Sequence, residues 1–430
     1  MTEILIPYGK KEIKICIPAK NLIKFIEPKV LQADFKLEEE IIKEALENPI
    51  HSRPLSEISR YKKNATILVS DITRPCPSYK FLPYIIDELI KGGIKKIDII
   101  FGLGMHRKHS YEEQVKLVGS YACNYANLID FEIEKCKNIG ETKFKTPIDI
   151  YEKVLKTEFL IVTGNIEYHY FAGYSGGAKA VMPGVSSRNS VQANHSMMLE
   201  DSSVAGNFYT NHVRQDIEEI GKIVGIDFLF NVILDDNKKI IAAVSGANNI
   251  AFIEGVKIYD SIYRIEAEEK ADIVITSPGG YPKDINLYQA QKALDNVKEI
   301  VKENGSIIFV ASCLEGFGDD IFCEWMNDAK NFNKLYRKIK QNFVLGGHKA
   351  VAISKILKQA KVYLYSEFSK SETEKMGFYK LDDLQEYINF VLKKNNDLKI
   401  AVIPHGRFIK YKANSYFNWF YQSSIFCNTY

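Results

Sequence analysis

Ala65-Thr-Ile-Leu-Val-Ser70, running directly into Asp71-Ile-Thr-Arg-Pro75, decides how this chain folds. This nearly continuous apolar run, bounded by polar residues, fits a strand buried on both faces of a parallel sheet. The same signature returns at Lys96–Phe101, Phe159–Thr163, Ala271–Thr276, Gly305–Val310 and Lys399–Pro404. Between these runs, Tyr79–Gly92 and Gln289–Asn304 carry helical spacing of apolar residues and end on glycine or asparagine. Strand, loop and helix in repetition predict an α/β protein with mainly parallel sheets. At 430 residues the chain is long enough for two such domains. The polar, lysine-rich Ala247–Lys270 segment separates the two sets and places the boundary near 265. The expected organisation is therefore 1–265, 266–408 and an atypical aromatic tail over 409–430. That tail holds Tyr416, Phe417, Trp419, Phe420 and Tyr421 with no strand or helix period.

Composition excludes several classes. The chain is 46% hydrophobic and 26% charged with a net charge of +3, and its lysines are scattered among acids, which argues against nucleic acid as a partner. No run of about 18 apolar residues predicts a membrane span. Seven cysteines, odd in number and without a C-x-x-C pair, fit reduced thiols. With no recognisable signal peptide, a cytoplasmic location is expected.

In open α/β sheets, ligands collect beyond the carboxyl ends of the strands, so the loops after each strand carry the functional reading. Asp71, Thr73 and Arg74 offer a carboxylate, a hydroxyl and a guanidinium, a set suited to sugar hydroxyls and phosphate, or else to an Asx-type turn and a surface ion pair. Gly102-Leu-Gly-Met-His-Arg107 starts like a dinucleotide fingerprint, but Arg107 stands in place of the third glycine; the glycines instead let the backbone bring His106 to a ligand. Gly173-Tyr-Ser-Gly-Gly-Ala-Lys-Ala180 resembles a P-loop and fails as one. Ala178 replaces the second glycine and Ala180 the magnesium-binding hydroxyl, so an ATPase is rejected. His169 precedes this turn and His195 follows it. A lone histidine becomes a good metal ligand only when a cofactor brings the remaining donors. Beyond Thr276, Tyr288 and Lys292 stand four apart, one helical turn, with Gln289 beside them, a group able to hold a small carboxylate.

Taken together and in this order, the motifs resemble the nickel-dependent lactate racemase family: Asp71-x-Thr-Arg-Pro75, Gly102-x-Gly-x-His-Arg107, Gly164-x-x-x-x-His169, Ser175-Gly-Gly-Ala-Lys179 with Pro183-Gly184, His195, and Tyr288-Gln-x-x-Lys292. The resemblance implies a racemase or epimerase of a 2-hydroxy acid, lactate first among them, with the active site in a cleft between the two domains. It implies a nickel-pincer nucleotide, Ni(II)-pyridinium-3,5-bisthiocarboxylic acid mononucleotide, joined covalently to Lys179. His195 would ligate nickel, Asp71, Ile72, Thr73 and Arg74 would hold the nucleotide, and Tyr288, Gln289 and Lys292 the substrate. His106 and His169 would be the acid/base pair, because a hydride route spares an imidazole from deprotonating a weakly acidic Cα–H. Separate biosynthetic proteins would load the cofactor. The chain departs from the family pattern in lacking a tryptophan in the middle of the second domain, and after Arg407. Two other readings compete: an NAD-dependent 2-hydroxy acid dehydrogenase and a non-catalytic protein binding a phosphorylated ligand.

Overall fold

Ile67, Leu68, Ile99, Ile100, Ile161 and Val162 are all fully buried. Adjacent residues of a strand face opposite sides, so burying both neighbours requires cover on both faces of the sheet. A computed structural model, which describes residues 1–26, 36–235, 237–344, 346–406 and 409–411, shows that cover. Met1–Pro28 with Arg264–Tyr430 forms one unit and Lys29–Tyr263 the other.

The Lys29–Tyr263 unit holds a six-stranded sheet in the order Ile240–Gly246, Phe228–Leu234, Leu160–Asn165, Asn64–Ser70, Lys96–Gly102, Asn127–Asp130. Every pairing is parallel except that of Ile240–Gly246 with Phe228–Leu234. Helix Ser78–Lys91 covers the sheet with Phe81, Leu82, Ile85, Ile86 and Leu89. The register pairs Ser70 with Gly102, so the loops that follow these two strands leave the sheet side by side.

The second unit holds a five-stranded, all-parallel sheet in the order Tyr379–Lys380, Lys361–Tyr365, Val301–Val310, Ala271–Thr276, Ile400–Ile403. The change of unit between Tyr263 and Arg264 falls beside the boundary expected at 265, but the start of the chain departs from that expectation. Thr2–Tyr8 and Lys11–Ile17 form an antiparallel hairpin whose Ile6, Tyr8, Ile15 and Ile17 share a core with Ile273, Ile275, Ile308 and Val310. The Tyr8 hydroxyl donates to Glu367 at 2.7 Å, and the Gly9 N–H to Asp284 at 2.7 Å. Residues 1–26 therefore do not belong to the unit that the sequence reading gave them.

Two further readings need correcting. Ala247–Lys270, read as a separating segment, is mostly a helix, Asn248–Tyr263, that buries Ala251, Phe252, Gly255 and Val256. The helix expected over Gln289–Asn304 stops at Val297 and the chain re-enters the sheet as Val301–Val310. There Lys302, Glu303 and Asn304 stand exposed where the register with Ala271–Thr276 shifts, which hides the strand behind a polar stretch. Ile409–Tyr411 forms a short strand parallel to Ile265–Ala267. The rest of the expected aromatic tail, and Arg407, lie outside the described residues. No described helix is long and apolar enough to cross a membrane.

Candidate active site

The parallel register brings Asp71 and His106 together. Asp71 is buried, and its Oδ2 lies 2.5 Å from His106 Nδ1, while Oδ1 accepts the Thr73 N–H at 2.7 Å and the Thr73 hydroxyl at 2.5 Å. The Asx turn weighed against a sugar-binding role is thus present, but it serves the loop and the imidazole rather than capping the helix at Ser78. Burial alone would push the Asp71 carboxyl up. The bonds from His106 and Thr73 outweigh it and hold the group below its ordinary value. A carboxylate bonded to Nδ1 keeps the neutral His106 proton on Nδ1 and the lone pair on Nε2.

A second imidazole aims this loop. His109, almost wholly buried, lies 2.8 Å from Asp130 through Nδ1, and its Nε2 accepts the Ile72 N–H at 3.2 Å. The sequence reading missed this pair. Its partner sits on Asn127–Asp130, a strand whose place beside Lys96–Gly102 only the fold reveals.

The glycines of Gly102-Leu-Gly are used within the protein. A side chain at Gly102 would come within 3.2 Å of Gly184 Cα, and the Gly104 N–H donates to Gly184 O at 2.9 Å. The next helix begins only at Tyr111, so no helix N-terminus follows these glycines as a dinucleotide fingerprint requires. The contact seats the His106 loop on Pro183-Gly184, the end of the Lys179 turn.

Lys179 lies in a short 3-10 helix, Gly177–Ala180. Gly176 and Gly177 have φ of +83° and +63°, and a Cβ at either would fall 2.6 Å from Asn231 Oδ1 or from an Arg214 guanidinium nitrogen. Only glycine fits both the backbone and the space. Arg214, fully buried, donates to Tyr174 O at 3.1 Å and Gly176 O at 3.2 Å, pairs with Glu218, and lies 4.0 Å from the Phe252 ring centroid. Sequence reasoning passed over it; the signal was a basic residue inside the apolar stripe of helix His212–Val224, with Glu218 one turn on. Although the Lys179 side chain keeps some exposure, its amine is desolvated. That, and then the positive charges of Arg74 and Arg214, holds it well below the ordinary lysine value.

His169 and His195 are gathered by one aromatic ring. The Phe171 ring lies 4.6 Å from the His169 ring and 4.9 Å from that of His195, both edge to face. The Ala172 N–H donates to His169 Nδ1 at 3.2 Å, which puts the proton of a neutral His169 on Nε2. His195 Nδ1 lies 3.1 Å from Asn194 Oδ1, and Asn194 in turn donates to Asp216 and Val213 O on the Arg214 helix. Among the described residues, no three His, Cys, Asp or Glu side chains are placed to hold a metal ion.

In the other unit, Tyr288 and Gln289 lie in Leu287–Ala290, capped by Asn286, and Lys292 opens Lys292–Val297. Lys292 Nζ donates to Gln289 Oε1 at 3.3 Å. The side chain on the Tyr288 ring is that of Lys349, with Nζ 3.4 Å from the centroid and 2.6 Å from Tyr288 O. Burial, followed by the charge of Lys292, lowers the Lys349 amine to about 7.

A mainly parallel α/β unit with a carboxylate-bound imidazole and a desolvated lysine on the loops after its strands has the chemistry of a candidate catalytic site. Family models for the lactate racemase N-terminal and C-terminal domains match residues 8–206 and 266–409. A lactate racemase of Thermoanaerobacterium thermosaccharolyticum is 31% identical over 94% of this chain and 98% of its own length, and one of Lactiplantibacillus plantarum 33% over 76% and 79%. The structure of the lactate racemase apoprotein from the former organism superposes with a TM-score of 0.86 at 30% identity, covering 96% of this chain and all of that one. A Thermotoga maritima crystal structure shares the fold alone, at 16% identity and a TM-score of 0.60 over 87% of this chain. The chain belongs to the lactate racemase family. By reaction class it is a racemase, an isomerase.

Proposed function

We propose that this racemase inverts a 2-hydroxy acid, with lactate as the reference substrate, and that a nickel-pincer nucleotide on Lys179 serves the reaction. The observation that carries this reading is the Lys179 amine: desolvation and two neighbouring guanidinium charges hold its pKa well below the ordinary lysine value, which favours the neutral form that bonds to carbon. The residues fit the group in two further respects. The turn at Gly176 and Gly177 lacks side chains where any Cβ would collide, and the protein offers His195 as one nitrogen donor for a metal whose other donors the nucleotide would bring. Asp71, Ile72, Thr73 and Arg74 are assigned to the nucleotide. When bound, the group would supply a reversible acceptor for the hydride of the substrate Cα–H.

The chain's own residues handle protons and orientation. His106, its Nδ1–H held by Asp71, offers the Nε2 lone pair to the substrate hydroxyl, and Asp71 steadies the imidazolium that forms. His169 is assigned as the second acid/base; its Nδ1 accepts the Ala172 N–H, so its Nε2 faces the proton exchange and would return a proton only as the imidazolium. Two histidines suit an inversion that removes a proton on one side and returns it on the other. Tyr288, Gln289 and Lys292 are assigned to the substrate carboxylate. Free cysteines at the described positions fit a reducing cytoplasm, where dedicated proteins would load the cofactor.

Intact-mass spectrometry of protein made together with cofactor-synthesis enzymes tests the reading. A mass addition lost in Lys179→Ala, with nickel co-purifying and chiral assay showing interconversion, is expected. An unmodified, nickel-free chain that still racemises would refute it.

A further inference from the structure

A pocket of about 450 Å³ opens in the unit that carries Tyr288, lined by Lys283, Gln289, Lys292, Asn296, His405 and Gly406 together with prolines and an alanine. None of these lining residues is acidic. Its volume lies in the range of pockets for drug-sized ligands, far more than a three-carbon acid fills.

The polar groups form two poles. Gln289 and Lys292, joined at 3.3 Å, make the first. At the second, Lys283 and His405 converge on Gly279: a Cβ there would meet His405 Nδ1 at 3.4 Å and the Lys283 chain at 3.8 Å. Gly279 has φ of +106°, so the corner stays open for both side chains. Asn296 Nδ2 donates to Gly406 O at 2.7 Å and pins the turn that carries His405 to the helix that carries Lys292. A monocarboxylate answers the first pole and leaves the second facing a methyl group.

We infer that this pocket takes a 2-hydroxy acid bearing a second carboxylate, with the hydroxy-acid end at Gln289 and Lys292 and the far carboxylate at Lys283 and His405. The inference rests on the 2-hydroxy acid reading above and narrows its substrate class to hydroxydicarboxylates.

Calorimetry on the full-length, cofactor-free chain measures this without turnover, using succinate, propionate and inorganic phosphate as probes. Succinate is expected to bind about tenfold more tightly than propionate, the worth of one charge-assisted contact. Lys283→Gln should erase most of that preference and Lys283→Arg restore it. On loaded enzyme, the ratio of kcat/KM for malate over lactate should fall about tenfold in Lys283→Gln. Equal binding of succinate and propionate, a preference indifferent to Lys283, or phosphate outbinding succinate as a phosphorylated ligand would, each overturns the inference. Loaded protein that racemises no hydroxy acid, while succinate binding still depends on Lys283, would defeat the functional reading and leave the two-pole pocket standing.

Discussion

The two ends of this chemistry are built in opposite ways. Around Asp71 and His106 nearly every polar atom is committed to another protein atom: Asp71 to Thr73 and His106, His109 to Asp130 and Ile72, Arg214 to the Lys179 turn. Around Lys292 the side chains of Lys283, Gln289 and His405 stand exposed, and Lys292 itself bonds to Gln289 at 3.3 Å. The first arrangement fixes geometry before any ligand arrives, which is what proton transfer demands. The second presents polar side chains at the surface, a form suited to selecting among anions.

Changes in the first region should therefore cost turnover, and changes in the second should shift preference. The largest effect is expected at His106 and His169: replacing either by Ala should lower kcat by about 10²–10⁴-fold, the usual worth of a general acid or base, read by chiral assay on loaded enzyme. A loss below tenfold at both would break the comparison. Gly177→Ala comes next. It forces a side chain onto Arg214 and Phe252 at φ of +63°, so a destabilisation of about 1–3 kcal/mol is expected in denaturant melts, with loss of the Lys179 mass addition.

The pH dependence of stability separates the regions by the window in which each titrates. Asp71 has a native pKa below its unfolded value, so its stabilisation is fully present above about pH 4 and lost as pH falls through the native pKa. Asp71→Asn should remove that acid-side loss in melts taken from about pH 5 downward. Lys349 acts in a higher window, and there it is the charged form that burial disfavours. Its amine titrates at about 7 in the native state, so the unfolded chain binds the extra proton between there and the ordinary lysine value. Stability should rise with pH across that window, and Lys349→Met should flatten the rise. The smallest effect is expected at His109→Gln, where a side-chain amide can still meet Ile72 and Asp130; a modest fall in cofactor retention, rescued relative to His109→Ala, would sharpen the picture of a pre-aimed loop.

Much of this was legible before the fold was known. Continuous runs such as Ile67–Val69 announce strands because burial on both faces leaves little room for polar residues, and the loops after them could be read as the chemical edge of the sheet. The illegible parts depend on partners distant in the chain. Asp130 gives His109 its meaning only once two strands pair, and Arg214, though it interrupts an apolar stripe, has no legible link to the Lys179 turn until the Gly176 carbonyl arrives beside it. Val301–Val310 was hidden by its own exposed Lys302-Glu303-Asn304. The opening hairpin did signal itself, through alternation at Ile13, Ile15 and Ile17, but alternation names a half-buried strand without naming its neighbour.

That hairpin sets an order of assembly. Its strands leave the ribosome before the isoleucines they pack against, which lie beyond residue 270, so this segment must wait with its apolar face uncovered while the entire intervening unit is made. A fragment beginning at Arg264 would be born without that cover, and supplying residues 1–26 on a separate peptide should recover its solubility.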